Sequence, residues 1–148
     1  LTLHQLQNTD VVIIGQPASG KSYLSELLKG EMQILFHTDD YIKHGYEQSI
    51  YVLLEDLKKN NDKPRLVEGV GGYRLLRKGL QTGTFFPKVV INLQITSVKS
   101  RHIYEQERSD KDYKKVEAMI KGNEKVYQEY LNTDSNFKPL IIDILNIW

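Results

Sequence analysis

The chain has 148 residues, no cysteine and a formal net charge of +1, from 20 Lys+Arg against 19 Asp+Glu. That length predicts a single domain spanning 1–148, and the missing thiols exclude disulfides, Cys-based zinc sites and cysteine catalysis. Near-neutral charge argues against bulk binding to duplex nucleic acid or anionic membrane.

In chain order, the short apolar run Val11-Val12-Ile13-Ile14 after Asp10 reads as a buried strand closed by Gly15. Residues 21–29 follow as a helix with Leu24, Leu27 and Leu28 on one face and Gly30 as the stop. Ile34-Leu35-Phe36 is a second strand. The spacing of Tyr46, Ile50, Leu53, Leu54 and Leu57 predicts one long helix over 41–59. The turn cluster Asn60-Asn61-Asp62-Lys63-Pro64 leads into a third strand, Arg65-Leu66-Val67-Glu68, broken by Gly69. A short helix over 73–80 and a strand over 88–94 come next. Two helices are expected at 97–107 and 112–131, the latter with Val116, Met119, Ile120, Tyr127 and Tyr130 on its apolar stripe. Residues 140–145 read as a fifth strand lying in the core. Strands alternating with helices predict a parallel sheet covered on both faces, a three-layer α/β/α arrangement. No apolar run approaches the roughly 20 residues of a membrane span, and no basic-then-apolar signal segment opens the sequence. A cytoplasmic location is the expectation.

One motif carries chemistry outright. Gly15-Gln16-Pro17-Ala18-Ser19-Gly20-Lys21-Ser22 matches G-x-x-x-x-G-K-S/T, with a strand before it and a helix after it. Successive backbone N–H groups of such a loop point into one concavity and cradle phosphate oxygens. The helix behind it aims the positive end of its dipole at the anion. Lys21 is placed to reach the β and γ phosphates, and Ser22 to offer a hydroxyl to Mg²⁺. The loop and the adjoining Tyr23 form the expected nucleotide-binding segment.

Four further stretches, together with this loop, resemble the P-loop kinases, which include nucleoside, nucleotide and polynucleotide kinases. Thr38-Asp39-Asp40-Tyr41 resembles the D-D-F/Y cluster at the end of the second strand in that family. The resemblance implies that Asp39 is the base contacting the acceptor hydroxyl, with Asp40 and Tyr41 beside it. An Asp pair also caps helices well, so the same residues can be read as the cap of the following helix. Leu66-Val67-Glu68-Gly69 resembles the V-E-G of uridine-kinase-like enzymes, which implies a role for Glu68 near metal and acceptor. Gly71-Gly72-Tyr73-Arg74 is loosely similar to the D-G-F/Y-P-R segment whose arginine grips an acceptor phosphate, without its proline. The stretch 99–115 holds six Lys/Arg and four Asp/Glu, and its Arg101 and Arg108 stand seven apart, on one helical face. By resemblance it is a helical lid whose arginines stabilise the transferring phosphoryl.

The family fold implied is a P-loop NTPase domain with a five-stranded parallel sheet in the order 2-3-1-4-5. The activity implied is transfer of the γ-phosphoryl of ATP, with Mg²⁺, to the hydroxyl or phosphate of a nucleoside, a nucleotide or a nucleic-acid end. The rival class is a P-loop ATPase or GTPase acting as switch or motor. The guanine-reading N-K-x-D is missing from the sequence, and Leu140-Ile141-Ile142-Asp143, readable as a metal-binding strand end, comes too late in the chain. His37 and His44 flank the acidic cluster and read as surface or packing residues.

Overall fold

The computed structural model describes residues 1–17, 19–96, 99, 102 and 110–146. Its framework is a sheet of five parallel strands: β1 (Val11–Gly15), β2 (Ile34–His37), β3 (Arg65–Glu68), β4 (Val89–Ile95) and β5 (Leu140–Asn146). The strand order is β2-β3-β1-β4-β5, as the family resemblance implies. Central β1 is buried at every position, which is why its residues are apolar without alternation.

The period of two along each strand sorts the core into two layers. Val12, Ile14, Val67 and Val90 face one side and pack with Leu53 and Leu57 of α3 (Gln48–Lys59) and Leu75 and Leu76 of α4 (Gly72–Thr82). Tyr127 and Tyr130 of α5 (Asp110–Asn132) close that layer. Val11, Ile13, Leu66, Val89 and Ile91 face the other side, against Leu6 of α1 (Leu3–Gln7) and Leu24 and Leu28 of α2 (Lys21–Leu28). Helices therefore cover both faces. Among the described residues no helix is long and apolar enough to cross a membrane.

Four expectations are corrected. The long helix over 41–59 is two elements: a 3-10 helix, Thr38–His44, and then α3. Gly45 separates them at φ +89°, a conformation that suits glycine. Tyr46 consequently lies outside α3 and is exposed. Residues 140–145 are not a core strand; β5 is the sheet edge, with Leu140 and Leu145 about half exposed. Leu27 and Met119 also point outward, because each helix has only a narrow buried stripe. Finally, α1 was not expected. It is held by a capping box in which Thr2 Oγ1 accepts from Gln5 N–H and Gln5 Oε1 accepts from Thr2 N–H.

The end of the sheet opposite the strand carboxyl ends is pinned by one ion pair. Arg65 donates from Nε to Asp10 Oδ1 (3.0 Å) and from Nη2 to Asp10 Oδ2 (2.6 Å). Its Nη1 reaches the Leu57 carbonyl at 2.7 Å, tying α3 to the same point.

Candidate active site

Every residue of the predicted site that the structure describes lies at or just beyond the carboxyl ends of β1, β2 and β3, or in the first turns of the helices that follow. In open parallel sheets ligands bind at this edge. The loop after β1 turns tightly. A Cβ on Gly15 would lie 2.5 Å from Ser19 Oγ and 2.7 Å from the Leu93 carbonyl oxygen, so only glycine fits. Gly20 enters α2 in the left-handed region at φ 95°, with no side chain capping the helix. The first N–H groups of α2 are therefore left for another acceptor. Ala18 lies outside the described residues.

Lys21 is only 8% exposed. Its Nζ donates to the Gln16 carbonyl at 2.9 Å and to Ser19 Oγ at 3.4 Å. Burial pushes its pKa down to about 8, against the opposing pull of the Glu68 and Asp39 carboxylates. A cation thus sits inside the loop with two carboxylates close enough to act on it.

Glu68 is buried at the end of β3. Ser22 Oγ lies 3.4 Å from Glu68 Oε1, and His37 Nδ1 lies 2.6 Å from the same oxygen. The hydrogen bond to Glu68 raises the pKa of His37, with burial opposing. His37 is therefore no mere surface residue. The signal for it is the parallel register, which sets His37 directly beside Glu68 on neighbouring strands.

Thr38 is a second residue that the motif reading passed over. It is buried, and its Oγ1 accepts the Gly71 N–H at 3.2 Å. This bond locks the end of β2 onto the start of α4. Asp39 and Asp40 follow in the first turn of the 3-10 helix, exposed. They cannot cap a helix beginning at residue 41, because α3 starts at Gln48. Tyr41 is turned toward α3, donating to Asp56 Oδ2 at 2.7 Å; burial first, then this carboxylate, raises its pKa. Asp40, Tyr41, His37 and His44 line a cleft of about 240 Å³.

Gln16 ties the loop to α5: its Nε2 donates to the Ile120 carbonyl and its Oε1 accepts from Asn123 Nδ2, both at 3.3 Å. Pro17 is partly buried, and Tyr23 is 62% exposed on α2. Arg74, in the first turn of α4, stacks over the Tyr46 ring with its guanidinium carbon 3.7 Å from the centroid. Asp143 sits on β5, two strands from β1, with Oδ1 accepting from Asn92 Nδ2 at 3.0 Å. Arg101 and Arg108, and most of the expected lid, lie outside the described residues.

The oxygen donors Ser22 Oγ and Glu68 Oε1 suit a hard cation such as Mg²⁺, which binds through one or two protein oxygens plus phosphates and water. Among the described residues no three His, Asp or Glu side chains gather into an all-protein cage.

No family profile matches the sequence, and no curated protein sequence matches it. Solved structures do. An uncharacterized protein from Eubacterium ventriosum ATCC 27560 aligns with TM-score 0.51 at 14% identity, over 92% of this chain and 88% of that one. Shikimate kinase from Acinetobacter baumannii, in complex with shikimate, aligns with TM-score 0.52 at 17% identity, over 93% of this chain and 89% of that one. At such identities the likeness is one of fold. The chain has a P-loop kinase-like fold, with its parallel sheet in the order 2-3-1-4-5.

Proposed function

We propose that residues 1–148 act as one kinase domain that transfers the γ-phosphoryl of ATP to an acceptor hydroxyl or phosphate. The observation that carries this reading is the convergence of Lys21, Ser22, Glu68 and Asp39 at one sheet edge, with Lys21 feeling both carboxylates. The loop from Gly15 to Ser22, with Tyr23, holds the triphosphate, its N–H groups and the Lys21 ammonium facing the anion. Ser22 and Glu68 would hold Mg²⁺, which neutralises charge on the phosphates. Asp39 takes the proton of the attacking hydroxyl. The acceptor oxygen forms its bond to γ-phosphorus as the bond to the bridging β–γ oxygen breaks, and ADP leaves. His37 fixes Glu68 by its 2.6 Å hydrogen bond. Asp40, Tyr41 and Arg74 surround the acceptor. Arg101 and Arg108 are assigned to the lid and to charge on the transferring group. The acceptor is a nucleoside, a nucleotide, a nucleic-acid end or another small alcohol, and the reaction is cytoplasmic.

The test is Asp39→Asn, which preserves size and removes the base. Phosphoryl transfer to the acceptor should fall by about 10²–10⁴-fold, while calorimetric binding of ATP stays near the wild-type value. Unchanged transfer removes Asp39 from the mechanism. Brisk ATP hydrolysis without any acceptor favours a P-loop hydrolase instead.

A further inference from the structure

Gln16 faces two ways. Inside the phosphate loop its main-chain carbonyl accepts from Lys21 Nζ at 2.9 Å and from the Ser19 N–H at 3.2 Å. Outside the loop its side-chain amide crosses to α5, 104 residues later in the chain. Nε2 donates to the Ile120 carbonyl, and Oε1 accepts from Asn123 Nδ2, both at 3.3 Å. With a donor and an acceptor both engaged, the amide is fixed in orientation as well as in place. Asn123 is a buried polar residue on a largely solvated stretch of helix, so this contact spares its amide an unsatisfied donor. Both bonds lie just beyond the roughly 2.7–3.2 Å of a well-formed N–H···O bond, which leaves the clasp room to tighten.

α5 changes character at the same point. After residue 122 it is anchored: Tyr127 and Tyr130 are buried in the main core, with Val126 packed against it. Before residue 122, Val116 and Ile120 form a small cluster of their own, separate from both core layers. Gly122 stands between the two halves, inside the helix and exposed. A Cβ there would meet nothing within 4 Å among the described residues, so no packing requires glycine. Glycine in a helix interior costs backbone entropy that alanine does not. The least stiff residue of this half-anchored helix therefore lies between the two residues that Gln16 holds.

We infer that Gln16 is a positioning residue: a triphosphate bound in the loop tightens the Gln16–Ile120–Asn123 clasp and, about Gly122, steadies the first half of α5 against the loop. The phosphate oxygens draw the Lys21 ammonium and the loop N–H groups to themselves. That releases the Gln16 carbonyl from Lys21 and fixes the loop around it, so the side chain is held where it bonds α5. A loop already ordered by one ligand loses little further entropy in making a second contact, and the two strengthen each other. The inference rests on the reading of the loop as a nucleotide site and requires no phosphoryl transfer.

Hydrogen exchange of the whole chain, with and without Mg²⁺ and a non-hydrolysable ATP analogue, tests it. Amides of residues 116–125 should exchange about tenfold more slowly with the analogue, within the usual range of coupling between two sites. Gln16→Met keeps the length of the side chain and removes both bonds. The slowing should shrink to less than about twofold, while calorimetry still finds the analogue bound with its Kd weakened by no more than about the same tenfold. Gly122→Ala adds a methyl group to open space and should raise the melting temperature. It should also slow exchange of these amides without the analogue and reduce the further slowing that the analogue brings. Equal slowing in wild type and Gln16→Met, or none in either with the analogue bound, overturns the clasp and leaves the nucleotide site standing. Undiminished slowing in Gly122→Ala overturns the pivot. Failure of the analogue to bind wild type overturns the nucleotide site itself and this inference with it.

Discussion

Raising the pH from 7.5 to 9.5 should weaken nucleotide binding, because Lys21 loses its proton within that window. Burial places its pKa at about 8, against an ordinary value of 10.5. That gap corresponds to roughly 3 kcal/mol at 1.36 kcal/mol per pH unit. A bound triphosphate favours the protonated ammonium, so binding draws a proton from solution when the free protein lacks one. About 0.1 proton per nucleotide should be taken up at pH 7, about 0.5 at pH 8 and about 0.9 at pH 9. Above pH 8 the affinity should fall by about tenfold per pH unit. Stability moves the opposite way. Between pH 8 and 10.5 the unfolded chain keeps its Lys21 proton while the folded one releases it, so ligand-free stability gains up to roughly 3 kcal/mol from this group as pH rises. Below pH 8 the whole cost of burying the charge is present. Titration calorimetry at matched pH in two buffers of different ionisation enthalpy measures the proton uptake, and Lys21→Met should abolish it. A pH-independent affinity from 7.5 to 9.5, with no proton uptake, would refute the reasoning.

Three other outcomes follow from named contacts. A Cβ on Gly69 would lie 1.8 Å from Thr38 Oγ1, at a backbone φ of 138°, so Gly69→Ala should cost at least about 2 kcal/mol in urea unfolding; a wild-type midpoint would contradict that packing. Asp10→Ala removes the carboxylate from Arg65, a residue only 9% exposed, and should destabilise by about 3 kcal/mol in the same assay; a loss below about 0.5 kcal/mol would class the pair with exposed ion pairs. The raised pKa of His37 means its charged bond to Glu68 contributes fully below its ordinary value of 6.5 and fades as pH rises through the raised one. The melting temperature of His37→Gln should therefore trail wild type more at pH 6 than at pH 9, and an equal gap at both would sink the charged pairing.

Which parts of this molecule were legible in advance depends on how local their cause is. The loop from Gly15 to Ser22 announces itself because its function demands specific residues at fixed spacing. Central β1 and most of β4 show as apolar runs because both faces of the sheet are covered there. The sheet order came from family resemblance, not from any pattern within the strands. The break at Gly45 was hidden because Tyr46 continues the helical spacing of Ile50 and Leu53 while its backbone does not. α1 escaped notice since its five residues bury only Leu6, and Thr2-x-x-Gln5 is a faint signal by itself. The His37–Glu68 contact is a matter of register between strands 31 residues apart, which no single-segment pattern contains. The same holds for Thr38, whose partners Gly69 and Gly71 lie on the far side of α3 in the chain.

Thr38 and Gly71 also bind each other's evolutionary fates. A Cβ on Gly71 would lie 2.9 Å from Thr38 Cβ, so even alanine or serine at 38 leaves no room for it. Only glycine at 38 would make space, and it would take away the hydroxyl that satisfies the Gly71 N–H. Serine can replace Thr38 first, because it keeps the hydroxyl, but Gly71 cannot change while any side chain stands at 38. Relatives of this chain that keep this junction should therefore hold glycine at 71 and vary at 38 only between threonine and serine.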